Sequence, residues 1–111
     1  MATDMSIFMQ FLRSMLLPLP GVTEKMCFDD PAFYVNNKIF TNVKLKNELL
    51  ALHTVEREKW MAVDPHTFFI TDHYKNYPAM LIDLAIVSKK DLKQLLFTSW
   101  QIRAPKRLLK K

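Results

Sequence analysis

The stretch Ala32-Phe33-Tyr34-Val35-Asn36-Asn37-Lys38-Ile39-Phe40-Thr41 reads as two short β-strands joined by a tight turn. Aromatic and β-branched residues fill both arms, and asparagine tolerates the positive φ that a two-residue hairpin turn demands. Pairing across Asn36-Asn37 predicts Phe33 opposite Phe40 on one face and Tyr34 opposite Ile39 on the other. Lys38 then lies beside the tip.

Upstream, Met5 to Leu17 reads as a helix, with Phe8, Phe11, Leu12 and Met15 at helical spacing and Thr3 or Asp4 as cap. Pro18 and Pro20 stop it, and Gly21 lets the chain turn. Thr23 to Phe28 reads as a short strand ending at the turn-like Asp29-Asp30-Pro31. Downstream, Lys46-Asn47-Glu48 predicts a turn between a strand through Val43 and another over Leu49 to Thr54. Glu56 to Val63 reads as a short helix capped by Thr54 and ended by Asp64-Pro65. Thr67 to Thr71 and Ala79 to Leu84 are β-like runs around the polar segment Asp72 to Pro78, a candidate for another hairpin tip. Ser88 and Asp91 form a capping-box pattern at the start of a last helix, which carries Leu92, Leu95, Leu96 and Trp100 on one face. Ala104-Pro105 ends it, leaving 104–111 as a short basic extension across the surface.

The 111 residues make one domain, and an apolar half of the composition makes it globular. A single glycine excludes a phosphate-cradling loop, which needs several close together. A single cysteine excludes an intrachain disulfide and any multi-cysteine zinc site. The net charge of +5 is concentrated at one end: residues 89–111 hold eight bases and one acid. Ile7 to Leu19, the most apolar run, is too short to span a membrane and is broken by Gln10 and Arg13. The acidic start at Asp4 does not suit a signal peptide, so the expected setting is cytoplasmic and away from membranes.

Signals for catalysis are weak. His66, Asp72 and His73 are candidate metal ligands, but without the spacing of a known site. Cys27 lacks a recognisable base and reads as a packing residue. Asp29-Asp30 reads as turn chemistry rather than paired acids, and Ser99 has no nucleophile-elbow context. No cofactor is implied. Arg103, Lys106, Arg107, Lys110 and Lys111 are better candidates, because a run of bases can neutralise a phosphate backbone and release counterions. Lys89 and Lys90 fall in the first turn of the last helix, where the macrodipole disfavours cations. Trp60, Trp100, Tyr74 and Tyr77 are candidate stacking platforms; Trp100 lies on the apolar helix face and reads as core, whereas Tyr74 and Tyr77 flank Lys75-Asn76 in a polar loop.

Three blocks together resemble the MmcQ/YjbR family: Leu19-Pro20-Gly21, the segment Pro31 to Phe40, and the closing Ser99-Trp100-Gln101-Ile102-Arg103-Ala104-Pro105-Lys106-Arg107-Leu108. The resemblance covers Ser6 to Leu108. It implies a two-layer α+β fold, an antiparallel sheet with helices packed on one face and hairpins projecting as wings. The family is described as DNA-binding on the strength of that shape, which small polypeptide-binding secretion chaperones also resemble. Two positions depart from the family pattern: the usually glycine-rich tip is Asn36-Asn37, and a common Gly-Trp is replaced by Asn76-Tyr77-Pro78. Pro78 removes a backbone donor and predicts an edge or bulge there.

The resulting expectation is a non-enzymatic protein gripping double-stranded DNA by its backbone. Lys38 and Lys75 touch phosphates, Asn36, Asn37 and Asn76 offer hydrogen bonds, and the basic tail adds electrostatic attraction. Sequence preference is weak, since no base-reading helix is evident. The alternatives are a module that binds a protein partner through an exposed apolar sheet face, and a small metal-dependent enzyme using His66, Asp72 and His73.

Overall fold

A computed structural model of the chain describes residues 5–109. The Thr3 and Asp4 cap positions, and Lys110 and Lys111, lie outside them. Two consecutive tight hairpins open the sheet: β1 (Val22–Cys27) and β2 (Asp30–Val35) meet at Phe28-Asp29, and β2 and β3 (Lys38–Lys44) meet at Asn36-Asn37. All four turn residues have positive φ, of 52°, 74°, 52° and 63° in chain order. That backbone twist matches the twist of the flanking strands. The first turn therefore falls one residue earlier than Asp29-Asp30-Pro31, because Asp30 and Pro31 are already paired with Cys27 and Met26.

The chain continues through a 3₁₀ turn (Leu45–Asn47), with Glu48 left-handed, into β4 (Leu49–His53). A short helix α2 (Arg57–Val63), a two-residue strand β5 (Phe68–Phe69) and β6 (Ala79–Asp83) follow. β6 inserts between β4 and β5, so the order is β1-β2-β3-β4-β6-β5, antiparallel throughout. α2 begins at Arg57, later than expected. Thr54 is consequently no helix cap; its hydroxyl accepts from the Glu56 N–H at 3.1 Å and braces the turn before the helix. β5 is shorter than its β-like run, since Thr67 is held by Asp64, its hydroxyl donating to Asp64 Oδ2 at 2.6 Å. Pro78 lies just outside β6, and its carbonyl accepts from Thr54 N. The missing donor thus costs no ladder bond.

The β2–β3 register departs from the expected one. Val35 pairs with Lys38 and Tyr34 with Ile39, but Phe33 then faces Thr41, leaving Phe40 as the extra residue of a bulge. The bulge keeps Phe33, Phe40 and Thr41 all buried, at 0%, 1% and 1% exposure. Simple alternation would have turned one of them outward. Ser99 Oγ donates to the Phe40 carbonyl at 3.1 Å, and Thr41 Oγ1 donates to the Ala51 carbonyl at 2.8 Å, so the polar groups at the irregularity are satisfied.

Pairing parity puts Phe33, Val35, Val43, Leu50, Leu52, Met80 and Ile82 on one sheet face, and these join the helices in a single core. α1 (Met5–Leu16) contributes Met9, Leu12 and Leu16 most deeply, with Phe8, Phe11 and Met15 half-buried along one side. The helix is rolled so that its bulkiest rings cover the margin rather than the centre of the contact. α3 (Lys89–Arg103) buries Leu92, Leu95, Leu96, Ser99 and Trp100. Its start is the expected cap, Ser88 Oγ accepting from Asp91 N at 3.1 Å. Trp100 is a core residue whose indole N–H donates to the Pro20 carbonyl, fastening α3 to the turn after α1. Arg13 grips Glu24 through two 2.8 Å bonds, tying α1 to the edge strand β1. The architecture is α+β, a six-stranded antiparallel sheet backed by helices.

Candidate nucleic-acid interface

Antiparallel pairing gathers the end of β2, the start of β3, the end of β4 and the start of β6 at one end of the sheet. The Asn36-Asn37 turn, Lys38, His53 and the loop 70–78 therefore share that end. α3 delivers Arg103 to it, where Arg103 lines a cleft with Ile39 and His53. After Ala104, extended as a residue before proline must be, a short helix α4 (Lys106–Leu109) turns back onto the domain. A Cβ placed on Gly21 would lie 2.6 Å from Leu108 Cδ1 and 3.4 Å from Val35 Cγ2, so α4 packs beside the β2–β3 turn. Ala104 is buried and Leu108 half-buried against the core. Residues 104–108 thus cross the domain as a short helix, anchored because Leu108 has apolar area to cover at Gly21.

Asn36, Asn37, Lys38, Lys106 and Arg107 are all exposed. Arg103 is only half-buried, yet its Nε is shut off from solvent and has no hydrogen-bond partner. The described bases of the C-terminal fifth are not one patch. Lys89 and Lys90 stand at the opposite end of α3 from Arg103, roughly 20 Å away at 1.5 Å per residue. Lys89 Nζ sits 5.8 Å from the centre of the Phe11 ring, a cation–π contact that offsets its unfavourable place in the helix dipole.

Lys75 and Asn76 are exposed in the nine-residue loop between β5 and β6. The loop is not a tight tip. A 3₁₀ turn (Asp72–Tyr74) folds it, and Arg57 holds it from below. Arg57 Nη1 donates to the carbonyls of Tyr74, Tyr77 and Ala79 at 2.8, 2.6 and 3.0 Å, and Nη2 donates to the Lys75 carbonyl at 2.8 Å. One planar guanidinium thus satisfies four carbonyls that no ladder serves. Sequence reasoning missed Arg57, which sits between two glutamates and looks like part of a solvated helix face. Glu58 lies near Lys75 and tempers the charge on this side of the end.

His53, at the end of β4, was also not singled out. Burial, with the Arg103 charge adding to it, holds the His53 pKa below its ordinary 6.5. His73 packs its ring against Tyr74 and Tyr77, with centroids 5.0 and 6.0 Å apart. His66 donates its backbone N–H to Asp64 Oδ1. Among the described residues no three His, Cys, Asp or Glu side chains are grouped to hold a metal ion. Cys27 is half-buried and in no disulfide. Its neighbour Tyr34 has a raised pKa, through burial first and the Cys27 hydrogen bond second.

The outward face of the sheet carries Thr23, Lys25, Tyr34, Asn42, Lys44 and Asp83 around buried Ala32, Ala51 and Leu81. Lys25 lies over the Tyr34 ring and Lys44 over that of Tyr74. None of the strongly exposed large hydrophobic residues is a strand residue of this face, and exposed Tyr77 borders it from the 70–78 loop. Among the described residues no helix is long and apolar enough to cross a membrane.

The sheet order and its helical backing define an α+β domain with a basic end. The YjbR family model matches residues 17–102, and the chain belongs to that family. Uncharacterised proteins of Mycobacterium tuberculosis and Mycobacterium bovis are similar to it, 39% identical over 49 residues. That stretch is 44% of this chain and 38% of each relative, so the match spans little more than a third of the relatives' length. No solved structure matches the chain significantly.

Proposed function

We propose that this protein is a non-enzymatic binder of double-stranded DNA that holds the phosphate backbone at the Asn36–Lys38 end of its sheet. The observation that carries this reading is the convergence there of Lys38, Lys106 and Arg107, exposed and drawn from separate segments of the chain. The Asn36 and Asn37 amides add neutral donors, and Lys75 and Asn76 border the same end. Such contacts position a duplex without reading its bases, so sequence preference is weak.

Fluorescence anisotropy of a labelled random duplex at several salt concentrations tests the reading. Each phosphate neutralised adds about 0.9 to the negative log–log slope. Replacing Lys38, Lys106 and Arg107 by Ala should flatten the slope by about 2.7. The pair Lys89→Ala and Lys90→Ala, at the far end of α3, should leave it unchanged. Binding that is absent at low salt, or that falls equally in both variants, overturns the proposal.

A further inference from the structure

The basic end also contains a built cleft. The β3–β4 ladder stops at Thr41–Leu52, while the β2–β3 hairpin runs on to Val35–Lys38 and the β4–β6 ladder to His53–Ala79. Beyond Thr41 and Leu52 the two halves of the sheet part, and a cleft of about 240 Å³ opens between them. Its apolar floor is Ile39, Ala51 and Ala79, and Tyr74 and Tyr77 close one side with His73. The Arg57 clamp on the carbonyls of Tyr74, Tyr77 and Ala79 holds that aromatic side in place before any ligand arrives.

Arg103 also lines the cleft. Its buried Nε has no acceptor, and among the described residues its guanidinium makes no ion pair. That nitrogen is shut off from the cleft as well as from solvent, so an anion in the cleft would be held by the terminal guanidinium nitrogens, which no ion pair among the described residues occupies. His53 beside it stays neutral at neutral pH, because burial and Arg103 disfavour its protonation. The site therefore offers one fixed cation, a neutral imidazole, the Asn42 amide and an aromatic wall. The volume lies just below the usual range for small-molecule pockets, so a ligand larger than one ring system would extend out of the open cleft.

We infer that this cleft binds a nucleoside monophosphate, its base against Tyr74 and Tyr77 and its phosphate on Arg103. Lys38, Lys106 and Arg107 lie at the same end of the molecule and favour a phosphate over a singly charged carboxylate. The nucleotide is either free or the terminal unit of a strand. The inference does not depend on backbone binding of a duplex.

Titration of the whole chain with adenosine monophosphate, followed by protein amide shifts in NMR, is the test. The expected result is saturable shifts centred on Ala51, His53, Ala79 and Arg103. Stacking on an aromatic side chain is worth about 1–3 kcal/mol, so Tyr77→Ala should weaken binding about fivefold or more. Arg103→Gln should weaken it about tenfold or more, as should omission of the phosphate in adenosine. Tyr77 is exposed, so its variant remains informative if Arg103→Gln does not fold. Absence of shifts at the cleft, equal binding of adenosine, or equal binding of an aromatic carboxylate such as indole-3-acetate overturns the inference. So does unchanged affinity in Tyr77→Ala. Two competition arms identify the source, and each presupposes binding. A phosphorylated one-nucleotide overhang that displaces the monophosphate better than a blunt duplex indicates a strand end; equal displacement indicates the free nucleotide. Salt-dependent duplex binding without any monophosphate shifts would overturn this inference and leave the preceding proposal standing.

Discussion

The Ser99 hydroxyl donates to the carbonyl of Phe40, 59 residues earlier, at 3.1 Å, and both residues are buried. The bond joins α3 to the bulge between the β2–β3 tip and the rest of the sheet. It sits beneath the point where β3 and β4 part, and so supports both the hairpin turn and the cleft.

Ser99→Ala should destabilise the fold by about 1–3 kcal/mol, since it leaves a buried carbonyl without its donor. Urea unfolding of the variant and the wild type measures this. A loss under about 0.5 kcal/mol would show that the bulge is held by packing alone.

Gly21 has φ +78°, and a Cβ there would lie 2.6 Å from Leu108 Cδ1. Gly21→Ala should therefore cost about 1–2 kcal/mol from the left-handed backbone, and more from the displaced leucine. Only the second part depends on Leu108. A double-mutant cycle with Leu108→Ala should show coupling of about 0.5 kcal/mol or more, and additivity would mean that α4 does not pack there.

Arg57→Lys should loosen the 70–78 loop although it keeps the charge, because an ammonium cannot serve four carbonyls in the geometry of a planar fork. Hydrogen exchange should speed up at the amides of Tyr74, Lys75 and Tyr77, which close the loop's own turns. Exchange in β3 should be unaffected. Unchanged protection in the loop would mean that those turns stand without the clamp.

His53 predicts a pH effect. Its pKa in the folded chain is depressed below 6.5, so the unfolded chain binds the proton more readily. Stability therefore rises with pH from the depressed value to about 6.5 and is level above it; acidification through that window destabilises. Glu24 and Asp64, whose pKa values are lowered from 4.5 and 3.8, act below the window. The urea midpoint should fall between about pH 7.5 and pH 5.5 in the wild type and change less in His53→Gln. An equal fall in both would place the titrating group elsewhere.

Much of this molecule was legible in short stretches of sequence. The Asn36-Asn37 turn, the Pro18 and Pro20 stop and the Ser88–Asp91 cap each depend on residues within four positions of one another. Backbone sterics and a neighbouring hydrogen bond decide such features, whatever the rest of the chain does. Three quoted blocks were enough to point to the YjbR family, and the helical spacing in α3 placed Trp100 in the core. The bulge at Phe40 was not legible, because simple alternation is the local default and the pull of buried Phe33, Phe40 and Thr41 toward one face is a property of the packed sheet. The same holds for the tail: its bases read as a phosphate-binding run, and nothing local showed that Leu108 packs at Gly21. Arg57 looked like an ordinary surface cation, and Arg103 like one more base of a phosphate-binding run. Only the folded chain shows that one clamps carbonyls 17 to 22 residues away and the other lines a cleft. Local geometry is set by neighbours in the chain, whereas burial and the partnering of charges are set by neighbours in space, and at this basic end those neighbours come from distant parts of the sequence.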